Sequence, residues 1–153
     1  MNSRALLVST LIGGFTMAVL SNIPMVNLAN CLFCFWLWAG GILAVYLYRR
    51  FSKSPEPLSL KEDLMIGLVS GVFGAVFATL LALMYQSASQ EAIMRFLNEY
   101  PQFSGQLHNL LDIYRSPSNF TSFVLFTNLF FYPLFGLIGG MIGGALFKKP
   151  AVS

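Results

Sequence analysis

Charge is scarce in this sequence. Of its 153 residues only 10% are Asp, Glu, Lys or Arg, against roughly 25% in an ordinary soluble domain. Nine basic and six acidic side chains cannot cover the surface of a water-soluble fold of this length. Histidine occurs once and cysteine twice, so Cys and His alone cannot complete a four-ligand zinc site within one chain. The catalytic signatures G-x-S-x-G and H-E-x-x-H and a glycine-rich phosphate loop are missing. No pair of carboxylates lies inside an apolar stretch. We therefore expect no catalytic residue, no metal ligand set and no enzyme.

Apolar residues are plentiful. The chain is 56% hydrophobic and 15% aromatic, with 15 Phe. Four uncharged stretches run over about 5–21, 28–48, 64–85 and 120–147, each near the roughly 20 residues that cross a bilayer. The first, behind Arg4, has the look of a secretory leader and is read as a retained helix. The expected fold is all-α: one membrane domain over 1–153 with four transmembrane helices.

The distribution of the few charges sets an expected orientation. Arg4, Arg49, Arg50, Lys53, Lys61, Lys148 and Lys149 fall on one side of such a bundle, and Arg95 and Arg115 on the other. Basic residues favour the cytoplasmic side, so both termini and the loop around residues 49–63 are expected there. The net charge of +3 reflects this topology. A nucleic-acid surface would need the basic residues clustered on one folded face, so no nucleic-acid partner is expected.

The connections carry their own signals. Ser21-Asn22-Ile23-Pro24, followed by Asn27 and Asn30, reads as a tight uncharged turn closing a helical hairpin. Ser54-Pro55-Glu56-Pro57 marks a polar linker. Ser59 and Glu62 form a capping box ahead of the third span, and Ser116-Pro117 supplies a cap and a first-turn proline ahead of the fourth. Glu62 and Asp63 are read as cap and dipole compensation there. Over about 88–115, Ile93, Phe96, Leu97 and Tyr100 follow helical spacing, as do Leu107, Leu110, Leu111 and Tyr114. Two short amphipathic helices on the exterior side are implied.

Glycine is the densest pattern inside the spans. Gly136, Gly140 and Gly144 recur every fourth residue, Gly139 and Gly143 form a second register, and Gly67, Gly71 and Gly74 mark the third span. In lipid, where no hydrophobic effect draws helices together, small residues at this spacing let backbones approach to van der Waals contact. These are expected helix-packing faces, within the chain or against another subunit. Pro133 is expected to kink the fourth span.

The remaining polar groups are few. Cys31 and Cys34 are spaced C-x-x-C at the opening of a membrane helix, which fits packing by small thiols or an exterior disulfide. His108 lies beside the apolar stripe of the second amphipathic helix and is a weak candidate ligand to a metal or pigment. Ser9, Thr10, Thr16, Ser70, Thr79 and Thr127 can bond their own helix backbones. Asn128 is expected to make an interhelical bond.

The run Ile23-Pro24-x-x-Asn27-x-x-Asn30-Cys31-x-x-Cys34-x-Trp36, followed by Gly40-Gly41-x-Leu43-Ala44-x-Tyr46, resembles a group of small bacterial multi-span membrane proteins without an assigned activity. The resemblance covers about the first half of the chain. It implies a multi-pass protein of the bacterial inner membrane and brings no catalytic residue with it. Such proteins often carry a third cysteine; here Phe33 and Phe35 stand beside the two present, which weighs against a cysteine ligand.

Together these readings favour a non-catalytic structural or accessory subunit of a larger membrane complex, an energy-transducing photosynthetic or respiratory assembly being one candidate. Its partners would be membrane lipids and other membrane-protein subunits. One alternative is a small oligomeric transporter or channel built around Asn128 and Pro133. The other is a pigment- or lipid-binding module using His108 or the turn at 22–30. No cofactor is predicted, and pigment or lipid are the ligand classes left open.

Overall fold

The computed structural model describes residues 2–22, 35–52, 58–100 and 116–147. They form five helices: α1 (Ser3–Asn22), α2 (Phe35–Ser52), α3 (Leu60–Met84), α4 (Gln86–Glu99) and α5 (Pro117–Leu146). No strand occurs among the described residues. Three helices, α1, α3 and residues Ser118–Leu146 of α5, are long and apolar enough to cross a membrane. The described part of α2 starts seven residues into the second apolar stretch and ends over Arg49 and Arg50, so it falls outside that group.

Local chemistry explains where the helices begin and end. Asn2 caps α1, its Oδ1 accepting from the backbone N–H groups of Arg4 at 3.1 Å and Ala5 at 3.4 Å. At the other end of α1, the Asn22 side chain folds back and donates to the Ala18 carbonyl of the preceding turn at 2.7 Å. The capping box predicted for α3 is present: Ser59 Oγ accepts from Glu62 N–H, and the Glu62 carboxylate accepts from Ser59 N–H at 2.9 Å. Ser116 caps α5 by accepting from Asn119 N–H, with Pro117 as the first helical residue. Helix α5 continues without interruption through Pro133.

Four helices pack as a ring in the order α1, α2, α5, α3. Helices α1 and α5 occupy opposite corners, and α2 touches α3 across the other diagonal. The chain therefore runs up and down. One end of the bundle, here the near end, gathers the start of α1, the end of α2, the start of α3 and the end of α5. Two contacts show this directly: Asn2 N–H donates to the Tyr48 hydroxyl at 3.1 Å, and Arg49 bonds both Asp63 and the Phe147 carbonyl.

The pattern of burial is inverted relative to a soluble protein. Ser9, Thr10, Asp63, Ser70 and Thr79 are buried, while Leu7, Phe15, Val76, Leu80, Phe126 and Phe130 face outward. An exterior of this kind suits hydrocarbon and would aggregate in water. The interior is small-residued: Ala5, Ala44, Val45, Tyr48 and Ile66 pack at the near end, and Met17, Ala18, Leu37, Ala75, Ala78 and Tyr132 toward the far end.

Helix α4 follows α3 after Tyr85 and matches the first of the two predicted amphipathic helices. Met94 and Phe96 are exposed on it, as is Tyr100 just past its end. The second predicted amphipathic helix, with His108, lies outside the described residues, as do Cys31 and Cys34.

Candidate functional site

The glycine registers of α5 face two different helices. A Cβ at Gly136 would lie 3.1 Å from the Gly71 Cα, and one at Gly140 would lie 3.0 Å from the Gly67 Cα. This register meets α3. The other meets α2, because a Cβ at Gly139 would lie 3.0 Å from the Gly41 Cα, and one at Gly143 would lie 3.1 Å from the Ile42 Cα. On α3, Gly71 sits against the Tyr132–Pro133 backbone, and Gly74 lies beside the Tyr132 ring and opposite Gly14 of α1. Both faces, left open between intrachain and intersubunit packing by spacing alone, are thus used inside the chain.

Gly144 has a different neighbour. A Cβ there would lie 2.8 Å from the carboxyl carbon of Asp63, so the missing side chain makes room for a buried carboxylate. Arg49 Nη2 donates to both oxygens of Asp63, at 3.1 and 2.9 Å, and the same guanidinium donates to the Gly144 and Phe147 carbonyls at the end of α5. Cap and dipole compensation is accurate for Glu62. Asp63 also lies in the first turn of α3, as dipole compensation requires, and its side chain in addition points inward to an ion pair that joins three helices. The only trace of this in the sequence is a basic residue in the last turn of α2 and an acidic one in the first turn of α3.

Polar groups also converge at the far end, around a cavity of about 230 Å³. Helix α1 contributes Ser21 and Asn22 from its last turn. Helix α5 contributes Val124, Asn128 and Tyr132, spaced four apart on one face, and Leu37, Ala78 and Ala82 complete the wall. The two alanines create the space, since a larger residue at either position would fill it.

Hydrogen bonding inside the cavity is incomplete. Asn128 donates from Nδ2 to the Thr79 hydroxyl at 3.1 Å, which donates to the Ala75 carbonyl at 2.8 Å. The expected interhelical bond of Asn128 is therefore present, and its amide keeps an acceptor oxygen and a second N–H. Tyr132, only 6% exposed, is a neighbour of Ser21 across the cavity. Even so, the buried Ser21 Oγ makes no hydrogen bond of acceptable geometry.

Among the described residues no charged side chain lines this cavity, which suits it to holding an uncharged group. The expectation that hydroxyls in the spans bond their own backbone holds for Ser9, Thr10, Thr16 and Thr79. It fails for Ser70, whose buried Oγ has no partner between α1 and α3. Reading the sequence did not single out Tyr132; the available signal was a phenol in the middle of an otherwise apolar span. Among the described residues no group of three or more His, Cys, Asp or Glu is gathered.

Comparison of the chain with protein-family models, with curated proteins and with solved structures found no match.

Proposed function

We propose that this chain is a four-span protein of the bacterial inner membrane, with both termini cytoplasmic, that acts as a non-catalytic binding module for an amphipathic ligand. The observation that carries the reading is the far-end cavity of about 230 Å³, where α1 and α5 bring together Ser21, Asn22, Asn128 and Tyr132 and α2 and α3 complete an apolar wall. A few convergent polar groups in an otherwise apolar concavity are the usual form of a small-ligand site. Arg4, Arg49, Arg50 and Lys61 at the near end support placing that end at the cytoplasm and the cavity on the exterior side. The test is native mass spectrometry of the protein released from lipid nanodiscs. Wild type should retain a bound small molecule that Ala82→Phe, which fills the cavity, does not; identical spectra would sink the reading.

A second reading, an accessory subunit of a larger membrane complex, is favoured by one surface. Phe123, Phe126, Phe130 and Leu134 form an exposed ridge along α5, spaced to share one helix face. Aromatic side chains are enriched where protein surfaces meet. Mild solubilisation of native membranes followed by size separation distinguishes the two: migration with large subunits, lost in Phe126→Ala/Phe130→Ala, supports the subunit.

A further inference from the structure

We propose that the far-end cavity recognises an uncharged hydroxyl-bearing group, the head of a neutral glycerolipid or the corresponding free polyol. The inference rests on the binding-module reading and specifies its ligand.

The lining sets the chemistry. A phosphate, carboxylate or ammonium entering the cavity would lose its hydration with no opposite charge to meet it, because among the described residues the wall holds no Asp, Glu, Lys, Arg or His. A purely apolar group would leave the Ser21 hydroxyl, already buried without a partner, at the full cost of an unmade bond. The complement is a neutral group that donates and accepts at once. Ser21 and Tyr132 each offer a hydroxyl that does both, and the Asn128 amide keeps one acceptor and one donor beyond its bond to Thr79.

Size and depth narrow the class. A cavity of about 230 Å³ is below the roughly 300–1,000 Å³ of sites that enclose drug-sized molecules, so it takes a head group and leaves acyl chains outside. Helix α1 is 20 residues long and so rises about 30 Å, the thickness of the hydrocarbon core. Its last turn, which carries Ser21 and Asn22, therefore lies at the boundary where the glycerol hydroxyls and ester oxygens of lipids reside. A vicinal diol presents two donor–acceptor groups, one for Ser21 of α1 and one for Asn128 and Tyr132 of α5.

The experiment is a titration of thermal unfolding of the full chain in detergent with four probes: monooleoylglycerol, free glycerol, lysophosphatidic acid and methyl oleate. Monooleoylglycerol is expected to raise the midpoint saturably. Its apparent affinity should fall about tenfold in Ser21→Ala and in Tyr132→Phe, variants that keep the packing volume nearly unchanged. Lysophosphatidic acid and methyl oleate should give no saturable shift. Saturation by glycerol alone supports the recognition chemistry and assigns the ligand to the aqueous polyol rather than the lipid. Equal saturation by lysophosphatidic acid or methyl oleate, abolished in Ala82→Phe, overturns the hydroxyl assignment while the binding-module reading stands. No saturable shift from any probe, with wild type and Ala82→Phe behaving alike, overturns both.

Discussion

Arg49 and Asp63 form an ion pair in which one guanidinium nitrogen bonds both carboxylate oxygens, at 3.1 and 2.9 Å, with 18% and 4% of the two side chains exposed. The pair lies where α2 ends, α3 begins and α5 ends. A cation close to two helix C-termini and an anion at a helix N-terminus both complement the helix dipoles. Arg49 also occupies the Gly144 and Phe147 carbonyls, acceptors that the end of α5 leaves unpaired. The guanidinium thus ties three helices at one point.

Breaking this pair from one side should cost more than removing both partners. Asp63→Asn and Arg49→Met are each expected to destabilise the bundle by about 2 to 4 kcal/mol, since each strands a largely buried partner, with the upper end reduced by the partial exposure of Arg49. The double variant should lose clearly less than the sum. Denaturant unfolding in mixed micelles measures all three; strict additivity would show that the two side chains do not depend on each other.

Gly144→Ala tests the same junction through sterics. The added methyl group would meet the Asp63 carboxylate, so the variant should unfold at lower denaturant than wild type even though alanine is a better helix former than glycine. In an Asp63→Ala background the penalty should shrink, because the clashing group is gone. A Gly144→Ala penalty that persists there would place the constraint elsewhere.

The two glycine registers of α5 predict intrachain damage. Gly140→Leu drives a branched side chain into the Gly67 backbone, and Gly143→Leu drives one into Ile42 and Val45. Each should destabilise the monomeric bundle by at least about 1 to 3 kcal/mol, the usual cost of overpacking. Neither register is free, so both variants should suffer. Unfolding of the isolated chain reads the effect; a variant that leaves bundle stability intact but abolishes a complex would move that register to an intersubunit role.

The Asn128–Thr79 bond should be worth little by itself. Thr79→Val or Asn128→Leu is expected to cost about 0.6 to 1.5 kcal/mol, as for other interhelical hydrogen bonds in lipid. Replacing both together should cost little more than either alone, because no polar group is then left unpaired. A double-mutant cycle in detergent decides this, and a coupling energy of zero would remove the bond from the account.

Topology is tested independently of packing. Reporters fused after Ser153 and within residues 53–57 should both read cytoplasmic, and one inserted near Gly105 should read exterior. An exterior C-terminus would require an odd number of crossings and overturn the proposed orientation.

Local signals were legible because they depend on neighbours in the chain. Fifteen charged residues among 153 and four uncharged stretches point to a helical membrane protein, since unpaired backbone groups are too costly in lipid for other open structures. Ser59, Glu62, Ser116 and Pro117 marked helix starts correctly, a cap being a matter of three or four consecutive residues. The glycine spacing identified helix faces that pack closely. Tertiary structure alone decided which helix each face meets, because a four-residue period specifies a face and says nothing of what lies opposite. It alone brought Asp63 to Arg49 and gathered Ser21, Asn128 and Tyr132 around one cavity. Those groupings join residues 14 to more than 100 positions apart, and only the order of helices around the ring determines which polar side chains are buried together.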